Sequence, residues 1–164
     1  DPDPSMYRPI QEKSEEGRVQ FDFLSSSAEA IPFGTDQFDW VVSTLVLCSV
    51  VNPVQAMAEI VRVLKPSGGL LFLEHIRAEG SKKHVQDLLQ PVWSLVGSGC
   101  HPNRPTVSII RDSGFSIEAL ELFDPFSSFP GLTRFALQFL TPFAHGVARK
   151  VGEPVIGNRS SVIG

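Results

Sequence analysis

The order of elements in this sequence predicts an α/β fold, a mostly parallel sheet whose last strand runs antiparallel. Three observations carry that expectation. Two nearly continuous apolar runs, "DWVVSTLVLCSV" and "LLFLEH", have the composition of strands buried on both faces, as in a parallel sheet. Between them "VQAMAEIVRVLK" has helical periodicity, the crossover that parallel neighbours require. The final two strand-like segments, "SIEALEL" and "AHGVARKV", have no clear crossover helix between them, so the last strand should be antiparallel to its neighbour.

Taken in order, "DPDPSMYRPIQ" reads as a connector, with two prolines in its first four residues. "VQFDFLSSS" alternates Val19, Phe21 and Phe23 on one side and reads as a short strand ending in a serine cluster. "AEAIPFGTDQF" is a loop punctuated by Pro32 and Gly34. Asn52 and Pro53 are the N-cap and first residue of a helix. Ala56, Ile60, Val63 and Leu64 share one face of it, with Glu59 and Arg62 off that face. Pro66, Gly68 and Gly69 are expected to end it.

After "LLFLEH", a polar stretch leads to an amphipathic helix from Val85 to Val96, with Pro91 expected to kink or offset it. "RPTVSIIRDSGF" reads as a short helix closed by Gly114. A Phe- and Pro-rich connection precedes the last strand, and residues 151–164 read as a loose tail.

Composition bounds the function classes. The chain has 164 residues, enough for one domain with a real core. Its net charge of −4, without a Lys/Arg run, gives no footprint for nucleic acid. Cys48 and Cys100 show neither metal-ligand spacing nor a disulfide framework, which favours a reducing, intracellular setting, cytoplasmic or organellar. The most membrane-like window, "FPGLTRFALQFLTPFAHGV", carries Arg134, two prolines and two glycines, so it is not expected to span a bilayer. Peripheral contact with a membrane surface stays open.

Four segments together resemble a known family: "AEAIPFGTDQFDWVVSTLVLCSV", "AEIVRVLKPSGGLLFLEH", "GSGCHPNRPTVSIIRDSGFS" and "PFAHGVARK". In order and spacing they resemble the class I S-adenosylmethionine-dependent methyltransferases. "TLVLCSV" and "EH" favour the methyltransferase-like 7 group of thiol methyltransferases. The resemblance covers residues 1–150 and implies the C-terminal two thirds of the domain. The fold it implies is a Rossmann-like sheet in the order 3-2-1-4-5-7-6. The cofactor it implies is S-adenosyl-L-methionine, and the partner a small, apolar methyl acceptor.

The resemblance also suggests site residues. Asp1 matches the carboxylate that accepts from the cofactor ribose, although a frayed terminal residue is the plainer reading. Ser27, Ala28 and Glu29 fall in the adenine-binding loop, with a solvated loop charge as the alternative for Glu29. Thr44 and Leu45 fall where the chain passes beneath the methionine part of the cofactor. Leu47 and Cys48 read as core.

One departure matters most. The family's Gly-rich turn after its first strand, whose glycines admit the cofactor closely, is not in this sequence. "PSGG" is a helix stop and "GSGC" follows a helix. With the first two strands absent, strands four to seven should still form a contiguous four-stranded sheet. "VQFDF" would then pair with the fourth, dangle, or find another chain through an exposed edge. The expectation is a truncated, inactive form.

Glu74 and His75 end the fifth strand, on the ligand side of an α/β sheet. An unperturbed imidazole titrates at about 6.5, which suits proton removal from a nucleophile, with Glu74 orienting it. The plainer alternative has Glu74 capping the next helix and His75 packing under the loop. Cys100 and His101 are a weaker substrate-pocket candidate. The Phe-rich segment from Phe123 to Phe143 is either an apolar lid or a packing layer. Two function classes follow: methyl transfer to a small acceptor, or a non-catalytic module that associates through its open sheet edge. A nicotinamide-dependent dehydrogenase is disfavoured, since its Gly-rich fingerprint is missing too.

Overall fold

The computed structural model describes Ser5, residues 7–18 and residues 20–151. Its elements are α1 (Tyr7–Gly17), β1 (Phe38–Thr44), α2 (Pro53–Val63), β2 (Leu64–His75), α3 (Lys82–Val96), α4 (Thr106–Asp112), β3 (Phe115–Phe123), α5 (Gly131–Leu137), a 3-10 turn (Gln138–Leu140) and β4 (Phe143–Lys150). The four strands form one sheet in the order β1-β2-β4-β3. β1 and β2 are parallel, and β4 is antiparallel to both β2 and β3. This is the expected contiguous half-sheet with its reversed last strand.

Local chemistry explains α2 well. The Asn52 side chain accepts from the Gln55 N–H, and Pro53 starts the helix. Its inner face, Ala56, Met57, Ile60 and Val63, is buried against the sheet. The helix stops before the expected Pro-Gly signal, however. Leu64 is already extended, and its N–H closes the last turn onto the Ile60 carbonyl. Lys65 precedes Pro66, which disfavours helical backbone there. Pro66 to Gly68 then lie outside the paired register of β2, which resumes with Trp40 opposite Gly69. Gly69 is there because the Trp40 ring covers it: a Cβ would stand 2.1 Å from Cζ3. Arg149 stacks on the same ring, 4.1 Å from its centroid.

The core lies on one face of the sheet only. Leu70, Phe72, Ala144 and Ala148 point toward Met57 and Ile60 of α2 and Ile110 of α4. The expectation that β1 and β2 are buried on both faces is therefore corrected. On the opposite face Val42 is 67% exposed, and its ladder partner Leu71 is exposed as well. A parallel pair needs cover on both faces, and among the described residues helices pack on one.

Three further expectations are revised. β1 ends at Thr44 rather than running on to Val50, because Leu45 takes positive φ (56°) and the chain turns. The strand expected around "VQFDF" does not form: residues 20–27 have no ladder partner, and Phe21 and Phe23 pack on the Tyr7 ring instead. Val19 lies outside the described residues. Conversely, α1 and α5 form in segments read as connectors. α1 buries no residue and rests on polar pairs such as Gln11–Glu15 and Lys13–Glu16, so it carries no apolar stripe. Pro9 sits in its first turn, where no amide donor is needed. The tail from residue 152 onward lies outside the described residues. No helix among the described residues is long and apolar enough to cross a membrane.

Candidate active site

The site is built where β1 and β2 end. Glu74 is fully buried. One carboxylate oxygen accepts from Ser43 Oγ (2.7 Å) and from the N–H groups of Val46 (3.0 Å) and Leu47 (3.1 Å). The other accepts from the Cys48 N–H at 3.2 Å. An ionised carboxylate is acceptor-only, so it suits a turn whose successive amides converge on one point. Glu74 thus neither caps the next helix nor orients His75. It fixes the turn that follows β1, and with it Thr44 and Leu45. The Leu45 N–H, bonded to the Leu73 carbonyl at 2.8 Å, completes that anchorage.

His75 is 7% exposed and stacks on Phe143, ring centroids 4.2 Å apart. Its carbonyl accepts from Thr106 Oγ1 at 3.0 Å. Its Nδ1 lies 3.4 Å from Cys48 Sγ and 3.3 Å from Cys100 Sγ. Leu47 and Cys48 are buried, as expected of core residues. The thiols are free and hydrogen-bonded to each other. That shared bond lowers the Cys100 thiol to about 7 and, with burial, pushes Cys48 up.

The loop before α4 is stitched to this turn. The His101 N–H donates to the Cys48 carbonyl at 2.7 Å. Arg104 donates to the carbonyls of Leu47 (2.8 Å) and Val50 (2.7 Å). Gln86, fully buried on α3, bonds the backbone of Ala78, Ile76, Pro102 and Thr141. Sequence reasoning missed Arg104 and Gln86, because their partners are main-chain amides and carbonyls, which carry no side-chain signature. An interior Gln on an amphipathic helix was the one available signal. The Phe-rich segment forms a packing layer, with Phe123 and Phe126 both against Phe143 (5.7 and 6.0 Å). Phe135 of α5 stays exposed.

The second group of expected residues lies in the loop before β1. Glu29 accepts from Ser27 Oγ and from the Asn52 N–H (2.7 Å), tying the loop to the start of α2. The Ser27 bond, then the Asn52 amide, hold its carboxyl below the usual range. It is not merely a solvated charge. Arg62 clamps the same loop through the carbonyls of Phe33 and Ile31, and its partner Glu59 accepts from the Ile31 N–H. Ala28 packs at the edge of the core. Asp1 lies outside the described residues.

A half-sheet with this order, carrying an ordered turn at the carboxyl ends of its parallel strands, defines a class I methyltransferase fold. Residues 1–72 match the methyltransferase domain family. Among curated relatives, thiol S-methyltransferase TMT1B of Rattus norvegicus is 38% identical over 126 residues, 74% of this chain and 52% of that protein. Thiol S-methyltransferase TMT1A of Homo sapiens is 36% identical over 121 residues, 71% of this chain and 50% of that one. The chain thus spans about half the length of these relatives. A SAM-dependent methyltransferase from Methanosarcina mazei superposes with a TM-score of 0.66 at 18% identity, covering 93% of this chain and 81% of its own. That likeness shows the fold alone. S-adenosyl-L-methionine is the cofactor the family implies.

The residues present fit one flank of that cofactor. Thr44 and Leu45 are exposed at the end of β1, on a turn that Glu74 holds. The loop at Ser27 and Ala28 is fixed from α2. No Gly-rich turn accompanies them in the sequence.

Proposed function

We propose that this chain forms the acceptor-side part of an S-adenosylmethionine-dependent methyltransferase acting on a small apolar thiol. One observation carries the reading: relatives at 38% and 36% identity, aligned over most of this chain, are thiol S-methyltransferases. The aromatic wall of Phe123, Phe126 and Phe143 beside His75 supports an apolar acceptor. When bound, the cofactor supplies an electrophilic methyl group on a sulfonium.

The chain's own residues do the rest. Glu74 positions the turn bearing Thr44 and Leu45 and does not touch the reacting atoms. His75 presents Nδ1 to the two cysteines, so a proton leaving the acceptor thiol would go to Nε2. Ser27, Ala28 and Glu29 form the adenine side. Without a Gly-rich turn this chain alone binds the cofactor weakly and is inactive. Calorimetric titration of S-adenosylhomocysteine into this chain, and into a version supplied with a Gly-rich strand and turn, tests this. Binding by the second only is the expected result; equal binding by both would overturn it.

A second reading, association through the open edge, is favoured by β1. It is an edge strand whose outward side chains, Trp40 and Val42, are exposed. Peripheral membrane contact would use the outer side of α3, where Leu88, Val92 and Leu95 are exposed.

A further inference from the structure

Three side chains with no shared sequence motif meet at the end of β2. Cys48 comes from the turn after β1, His75 ends β2, and Cys100 comes from the loop before α4. The His75 Nδ1 to Sγ distances are 3.3 and 3.4 Å, and the two Sγ atoms are 3.7 Å apart. All three residues are buried and all three donor atoms lie within 4.8 Å of one another. Around a tetrahedral zinc ion, with bonds of about 2.3 Å to sulfur and 2.0–2.1 Å to nitrogen, neighbouring ligand atoms stand roughly 3.5–3.8 Å apart. The S–S side of the triangle, 3.7 Å, is already that length, and the two N–S sides, 3.3 and 3.4 Å, need only a slight opening.

The backbone of the ligand-bearing residues is also fixed. The Cys48 N–H is held by Glu74 and its carbonyl by His101, while the His75 carbonyl is held by Thr106. Such outer partners hold metal ligands in place. As weak thiol hydrogen bonds alone, two cysteines sharing one imidazole nitrogen gain little. Two thiolates and a neutral imidazole would neutralise a divalent cation. The buried Glu74 carboxylate adds negative potential nearby, and the Arg104 guanidinium, turned to main-chain carbonyls, opposes it.

We propose that Cys48, His75 and Cys100 form a three-ligand site for a soft, thiophilic divalent cation of the zinc class. His75 binds through Nδ1, both thiols release their protons to solvent, and a fourth position stays open for water or an added ligand. Sulfur and imidazole donors, with no oxygen among the three, discriminate against magnesium and calcium. The site does not depend on the methyltransferase reading; a cation on Nδ1 leaves the ring proton on Nε2, so cation binding and proton acceptance by His75 are mutually exclusive states of the chain.

The test is cobalt(II) titrated into the reduced, metal-free chain, followed by zinc. A single equivalent should bring thiolate-to-cobalt charge-transfer absorption with the intensity of two thiolates, and zinc should abolish it. Folded Cys48→Ser and Cys100→Ser variants should each lose about half of that absorption. They should also bind zinc at least about 10-fold more weakly, since loss of a ligand costs no less than loss of an outer partner. Should either variant not fold, the wild-type chain gives the second readout: one equivalent of zinc should protect both cysteines from a thiol reagent. Cobalt binding without charge-transfer absorption, no protection by zinc, or unchanged zinc affinity in a folded Cys100→Ser variant would each overturn the site.

Discussion

Glu74 and Ser43, 31 residues apart in sequence, are joined side chain to side chain at 2.7 Å across the parallel pair β1–β2. The same carboxylate collects the amides of Val46, Leu47 and Cys48, so one residue of β2 fixes the turn that ends β1. The exposed end of the sheet therefore owes its shape to a buried charge.

Replacing Glu74 by Gln turns one acceptor oxygen into a donor facing amide donors. Leaving buried groups unsatisfied costs about 1–3 kcal/mol each. The denaturant midpoint of Glu74→Gln should fall accordingly. Glu74→Asp, too short to reach the turn, should lose about as much. An unchanged midpoint in both would mean the turn holds itself.

Gly69→Ala puts a methyl group into the Trp40 ring. The ring must move, and with it the Arg149 guanidinium stacked on it. Overpacking of this kind costs about 1–3 kcal/mol. Tryptophan fluorescence and thermal unfolding should both report it, and a variant with wild-type values in each would contradict the close approach.

Acid stability follows from Glu59 and Asp87. Hydrogen bonds from Arg62 hold Glu59 at about 2, from an ordinary 4.5. Hydrogen bonds from Arg77 and then Asn103 hold Asp87 at about 2, from 3.8. Both are depressed in the folded state, so their stabilisation is present above the unfolded values and is lost as pH falls toward 2. Their joint contribution to stability should be flat above about pH 4.5 and decline below it. Glu59→Gln should flatten that decline; a slope identical to wild type would remove Glu59 from the account.

Self-association through β1 makes a separate prediction. Val42→Lys places a charge on an exposed face, where the folded monomer loses little. Sedimentation should show less self-association than in wild type, with unfolding unchanged. Equal association in both would point away from this edge and face.

How much was legible in the sequence depends on the range of the interactions involved. Asn52–Pro53 and the face of Ala56, Ile60 and Val63 are local chemistry, and α2 follows from them directly. The reversed last strand was readable from the missing crossover. Residues 45–48 were not: the run is apolar throughout, and only the positive φ at Leu45 and the acceptor 26 to 28 residues away turn it. "VQFDF" has the alternation of a strand but no ladder partner among the described residues. Cys48, His75 and Cys100, separated by 27 and 25 residues, show no spacing to read; the fold alone assembles them.

The most direct test of the central claim supplies the chain with a Gly-rich strand and turn and follows transfer of a labelled methyl group from S-adenosylmethionine. Small alkyl thiols, phenols and amines are the competing acceptors. The account predicts label on the thiol in preference to the other two, reduced when His75 is replaced by Phe. Label on none of them, with the cofactor shown to be bound, would contradict it.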